Sequence, residues 1–335
     1  MSFFARAWRE LRQGPTREDG EDALRRLRAH RVPASASLAS VAGIAVGSEV
    51  LEIRKQESTA ESDTSVDELG TASADVVHVV RGVYESIPSA DARSHLLSLA
   101  SRAARRAIVL HVPVVDDGTH LGRALVDAPR RILRRVGVRA PEPGDRFGPV
   151  GYAHCFFDEE PLACELATAG LVITGRHDFT FVAERAADHP DVMAEKADRF
   201  ALEIARTLRE VRYAERKRLS ELPEHAVTSM RVRGSKKKQR GPIGRARLRR
   251  AIGWVDAVMP KGGNCYRRVL LELGLDGGAA RETIVFGLDV GKTGHVAFDG
   301  HEERTFDVAF AMPAHGAAAT STHRHAFRPD DRRPA

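Results

Sequence analysis

Residues 75–80 (DVVHVV) and 107–113 (AIVLHVP) are short apolar runs rich in β-branched side chains, and residues 88–103 between them place apolar positions at helical spacing. Runs of this length, apolar on both faces, suit the strands of a parallel sheet, and parallel neighbours need a crossover such as the intervening helix. Strand, helix, strand is α/β grammar, and it constrains the first half of the chain. The pattern continues downstream. Residues 121–136 have helical spacing interrupted by Pro129, residues 158–169 (DEEPLACELATA) read as a helix ending at Gly170, and residues 171–174 and 179–184 read as a closing antiparallel hairpin.

The second half is organised around Cys265. It follows Lys261-Gly262-Gly263-Asn264 and opens an apolar stretch containing Val269, Leu270, Leu271 and Leu273. Asn264 suits a helix N-cap, which puts Cys265 in the first turn, where unpaired backbone N–H groups favour negative charge. Residues 281–288 (RETIVFGL) and 294–298 (GHVAF) read as strands, the second carrying His295, and residues 305–310 (TFDVAF) as a third carrying Asp307. Tight connections bring His295 and Asp307 within cross-strand reach. A nucleophile, a base and an orienting acid in that order are the parts of a cysteine acyl-transfer site.

At these residues the chain resembles the transglutaminase-like superfamily over 245–312, and within it the cysteine peptidase (B2) of lasso peptide biosynthesis. The likeness is carried by Met259-Pro260-Lys261-Gly262-Gly263-Asn264-Cys265, by the arginine-bearing stretch after it, by Ile284-Val285-Phe286-Gly287, and by the His and Asp strands. It implies Cys265 as nucleophile, His295 as general base and Asp307 as the orienting acid. Two departures stand out. The family's His-Ala-Trp stretch is His295-Val296-Ala297 here, and its Gly-Ile turn is replaced by Leu273-Gly274-Leu275-Asp276-Gly277-Gly278.

Residues 49–184 resemble the C-terminal half of a class I S-adenosylmethionine-dependent methyltransferase, through 75–85 (DVVHVVRGVYE), the helix leading into 107–113, the aromatic stretch 152–160 and the hairpin. That family seats its cofactor on a glycine-rich turn after the first strand, where backbone must approach the ligand closely. Here Val50-Leu51-Glu52-Ile53 is followed by Arg54-Lys55-Gln56-Glu57-Ser58, with no glycine until Gly70. The reading is a truncated, Rossmann-like fold without cofactor. Were S-adenosylmethionine retained, Glu52 and Arg81 would lie nearest to it.

Composition narrows the setting. The 335 residues suffice for two domains, and no apolar run approaches the roughly 20 residues that span a bilayer. Phe3, Phe4, Ala7, Trp8 and Leu11 form a helical stripe without the apolar core of a signal peptide, so a cytoplasmic location is expected. Three cysteines without C-x-x-C spacing argue against a disulfide framework and a zinc site. The net charge of +6 is concentrated in 231–250, which includes Lys236-Lys237-Lys238-Gln239-Arg240 but no aromatic residue for base stacking. A solvated basic linker is expected, and no nucleic acid. Gly287-Leu288-Asp289-Val290-Gly291-Lys292-Thr293 mimics a phosphate loop, but its first glycine is one residue too close and a strand follows where a helix is required.

The sequence therefore predicts α/β plus α+β: an N-terminal helical segment over 1–48, a methyltransferase-like domain over 49–189, a charged helix and basic linker over 190–240, a small transglutaminase-like domain over 241–312, and a disordered tail over 313–335. The expected activity is cysteine-dependent acyl transfer or peptide-bond hydrolysis, removing the leader of a ribosomal precursor peptide, with a separate leader-binding partner implied by the resemblance. No cofactor or metal is required. The alternatives are an S-adenosylmethionine-dependent methyltransferase with an accessory peptide-binding domain, and a non-catalytic peptide-binding scaffold.

Overall fold

The computed structural model describes residues 17–56, 64–70, 73–114, 132, 142, 144–148, 151–156, 158–177, 179–190, 197–260, 262–288, 294–299 and 308–313. The helical stripe near residue 8, nearly all of the interrupted helix at 121–136, Asp307 and all of the tail but Pro313 lie outside them. The fold is mixed α/β, in two compact units: Met1–Lys196 with Gly241–Ala246, and Ala197–Arg240 with Arg247–Ala335. Among the described residues, no helix is long and apolar enough to cross a membrane.

In the first unit, helix α1 (Arg17–Arg25), strand β1 (Leu27–Pro33), helix α2 (Ala36–Ala42), strands β2 (Glu49–Lys55), β3 (Thr64–Ser65) and β4 (Ala74–Val79), helix α3 (Ala90–Ala103) and strand β5 (Ala104–His111) follow in order. After them come a small hairpin, β6 (Asp145–Gly148) and β7 (Gly151–His154), helix α4 (Glu159–Thr168), and strands β8 (Leu171–His177) and β9 (Thr180–Arg185). The sheet order is β3-β1-β2-β4-β5-β9-β8. Strands β2, β4 and β5 are parallel, and β9 runs antiparallel between β5 and β8.

Residues 1–48 are not simply a helical segment. Strand β1 lies within them and pairs antiparallel with β2, setting Ala29 opposite Ile53 and His30 opposite Glu52. Leu27 and Ala29 are buried in the main core while Arg28 and His30 take the other face, the two-residue alternation of a strand.

That alternation organises the whole sheet. Leu51, Ile53, Val77, Val79, Ile108 and Leu110 point into the main core, which α3 and α4 close with Leu96, Leu97, Leu162 and Leu166. Val50, Val76 and Val109 take the opposite face, under Ala39 of α2. Ser89 caps α3 by accepting the Ala92 N–H, and Asp158 caps α4 by accepting the Glu160 N–H, each satisfying a donor that the helix leaves open.

The second unit holds helices α5 (Phe200–Ser220), α6 (Pro223–Gly234), α7 (Pro242–Val258) from Arg247 onward and α8 (Cys265–Leu275), then strands β10 (Ile284–Leu288), β11 (Gly294–Phe298) and β12 (Val308–Met312). The strands form an antiparallel sheet in the order β11-β10-β12. Much of the charged helix and basic linker expected over 190–240 is helical and belongs to this unit. Ala226, Val227 and Met230 of α6 are buried with Leu270, Leu271 and Leu273 of α8, and that burial outweighs the polar composition of the segment. Arginines of the segment are engaged with carboxylates, Arg233 with Glu210 and Arg240 with Glu203, as is Arg249 of α7 with Glu272. Leu248, Ile252 and Val255 line the same core, whereas Val258 is exposed.

Candidate functional site around Cys265

Helix α8 begins at Cys265 because Asn264 stops the extended chain and caps the first turn, its Oδ1 accepting the Arg267 N–H at 2.8 Å. The thiol is half-buried. The loop leading to it is held by Asp256, in the last turns of α7. Asp256 Oδ2 accepts the N–H groups of Gly263 at 3.0 Å and Asn264 at 3.1 Å, and Arg268 Nε at 2.8 Å. Arg267 Nε stands 3.0 Å from Oδ1, close enough for an ion pair but misaligned for a hydrogen bond. Neither Asp256 nor Arg267 is exposed to solvent. Gly262 lets the loop lie against the end of α7: a Cβ there would stand 3.0 Å from the Asp256 carbonyl oxygen. Gly263, at φ +78°, occupies the left-handed region that favours glycine.

His295 is the second residue of β11, paired with Gly287 of β10. Strand β11 packs on helix α8, so the elements carrying Cys265 and His295 are neighbours. The side that faces the helices, however, is the one bearing Ile284, Phe286, Val296 and Phe298, which belong to or pack on the core of this unit. Tyr266, next to Cys265, meets Phe286 on that side with ring centroids 5.7 Å apart. Alternation puts His295 and Ala297 on the opposite side of the sheet. Asp307 precedes the first described residue of β12, Val308, which pairs with Leu288; β10 lies between β11 and β12, so the His and Asp strands are not the directly paired neighbours that the sequence predicts, because each finds its hydrogen-bonding partner in β10.

Glu52 and Arg81 lie in the other unit. Glu52 sits on β2 between His30 of β1 and His78 of β4, and accepts Arg54 Nε at 2.9 Å. Arg81 is exposed in the turn after β4, where Gly82 adopts φ +86° and donates its N–H to Glu85 at 2.9 Å. The left-handed glycine in this part of the sheet thus follows β4, while β2 continues into exposed Arg54 and Lys55.

The sequence reading missed the buried charges. Asp256 falls four residues after Ile252 and eight after Leu248, and so lies on the buried stripe of α7. Arg267 likewise interrupts the buried face of α8. A charged residue at an apolar helical position was the available signal.

The first unit holds a second polar cluster. Arg93, wholly buried, donates to both oxygens of Glu165, at 3.0 Å and 2.6 Å, and to Glu142 at 3.0 Å. Asp145 accepts from Tyr152 at 2.6 Å and faces His154 Nδ1 at 3.0 Å. Burial pushes the Asp145 carboxyl up, but His154, Tyr152 and the Glu142 N–H together outweigh it and hold the group below its usual range. Glu142, Asp145 and His154 bring ligand-type atoms within 4.8 Å of one another. The Arg93 guanidinium already supplies positive charge to Glu142, and Asp145 is spent on hydrogen bonds, so the cluster reads as structural.

No protein-family model matches the chain, and no curated protein or solved structure matches it either.

Proposed function

We propose that the second unit carries out cysteine-dependent acyl transfer or peptide-bond hydrolysis, with leader removal from a lasso-type precursor peptide as its reaction. The observation that carries this reading is the half-buried Cys265 thiol at the first position of α8, its lead-in loop fixed by Asp256. First-turn N–H groups and the helix dipole favour an oxyanion beside the sulfur. In this reading the sulfur attacks the scissile carbonyl, His295 carries the proton to the leaving amine, Asp307 orients the imidazole, and water releases the acyl group. A separate leader-binding protein and a cytoplasmic setting belong to the proposal.

The first unit, in this reading, is a methyltransferase-like domain that has lost its cofactor. Three parallel strands closed by an antiparallel hairpin support the likeness. The end of β2 does not fit S-adenosylmethionine: it carries the exposed, charged Arg54 and Lys55 where the ligand needs a close approach of backbone, and Glu52 already accepts Arg54. No step is routed through it.

A second reading, a peptide-binding scaffold without catalysis, is favoured by the strand alternation that turns His295 from the face packed on α8. One experiment separates the two. Iodoacetamide alkylation of Cys265 is followed at neutral pH in a Cys155→Ser, Cys164→Ser background, folded and in urea, with and without His295→Ala. A folded rate at least about tenfold above the urea rate, and lower without His295, supports catalysis. Equal rates, indifferent to His295, leave the scaffold.

A further inference from the structure

We infer that Asp256 is a positioning residue for Cys265, holding the loop so that the first-turn N–H groups form the oxyanion site; this rests on the cysteine chemistry proposed above. Burying a carboxylate is costly unless it is paired and hydrogen-bonded. Asp256 is fully buried and meets that condition with two arginines and two backbone donors. Those donors belong to Gly263 and Asn264, the two residues immediately before the cysteine. Asn264 in turn takes the Arg267 N–H. Of the consecutive N–H groups from Gly263 to Arg267, three are thus assigned to acceptors. The remaining two, on Cys265 and Tyr266, are first-turn donors with no partner within the helix. One carboxylate therefore fixes the peptide planes on the approach to both.

The assignment separates two reactions of the same thiol. When p-nitrophenyl acetate acylates Cys265, the sulfur bonds to the carbonyl carbon, the bond to the phenolic oxygen breaks, and p-nitrophenolate leaves with the electron pair; the thiol proton goes to solvent. The carbonyl oxygen is negatively charged in the tetrahedral intermediate and needs the N–H pair. Alkylation by iodoacetamide displaces iodide at a saturated carbon and develops no oxyanion. A loosened loop slows the first selectively, whereas a purely structural loss moves both rates toward those of the unfolded chain.

The test compares the full chain and Asp256→Asn, both with Cys155→Ser and Cys164→Ser, by mass-spectrometric rates of the two modifications at Cys265. The expected result is a fall of about tenfold or more in the ratio of acylation to alkylation. If Asp256→Asn does not fold, Arg268→Gln, which removes one charged partner of the same carboxylate, is read in its place, with a fall in the ratio of about threefold expected. An unchanged ratio in the folded variant overturns the role of Asp256 alone. A parent protein that acylates no faster folded than in urea overturns the cysteine reading and this inference with it.

Discussion

Gly234, the last residue of α6, lies against the backbone of Leu273 in α8: a methyl group at position 234 would fall inside the van der Waals envelope of the Leu273 carbonyl oxygen. Backbone, unlike a side-chain tip, does not rotate away. Gly234→Ala must move one helix off the other, and we expect a loss of about 3 kcal/mol in the stability of the second unit. Urea unfolding followed by Trp254 fluorescence, in a Trp8→Phe background, measures it; an unchanged midpoint would show that the helices slide freely.

The Arg93 and Glu165 pair makes a comparable demand on the first unit. Arg93 is wholly buried, three of its hydrogen bonds end on one carboxylate, and the Tyr84 hydroxyl donates to the same group at 2.7 Å. Burial and the Glu165 charge push the Tyr84 phenol well above its ordinary range, so Tyr84 remains a donor. Glu165→Gln leaves the guanidinium short of charge, and we expect it to cost about 3 kcal/mol. Urea titration of the first unit, followed by far-ultraviolet circular dichroism, should show the earlier midpoint; a loss under about 1 kcal/mol would mean that Glu142 alone suffices.

His78 gives the first unit a pH dependence. Burial lowers its pKa, with Glu52 opposing and His111 and Arg54 assisting. The unfolded chain then binds a proton at a higher pH than the folded one. Stability is full above the unfolded value of 6.5 and declines as pH falls from there toward the lowered folded value. Urea midpoints at pH 7.5 and 5.5 should differ in the parent and differ less in His78→Gln, and an identical difference in both would locate the dependence elsewhere.

Legibility in the sequence followed the range of the interaction. Runs such as Val76-Val77 and Ile108-Val109-Leu110 identify strands locally because both of their faces are buried. Strand β1 escaped notice because Arg28, His30 and Arg31 obscure an alternation that rests on Leu27 and Ala29 alone. Helix α6 read as a boundary because Arg231 and Arg233 look solvated until their partners are known. Those partners are distant: Glu210 for Arg233, and the carbonyl oxygens of Glu282 and Met312 for Arg231. Near Cys265, the Asn264 cap was visible in a short segment, whereas the Asp256 clamp joins two helices and needs their packing.

Arg231 shows what such a long-range contact does. It is 9 % exposed, and its guanidinium donates to the carbonyl oxygens of Glu282 at 2.8 Å, Met312 at 2.8 Å and Pro313 at 2.5 Å. It therefore ties α6 both to the approach to β10 and to the end of β12. Lysine retains the charge but concentrates its donors on one nitrogen and lacks the planar fork that reaches several carbonyls. With at least one acceptor abandoned, we expect Arg231→Lys to cost about 2 kcal/mol. The loss should fall first on β12, an edge strand held on one side by β10. Hydrogen exchange is the direct measurement: amides shared by β10 and β12 should exchange faster in Arg231→Lys, while those shared by β10 and β11 change less. Equal acceleration in both ladders would show that Arg231 supports the unit as a whole and does not specifically anchor the end of β12.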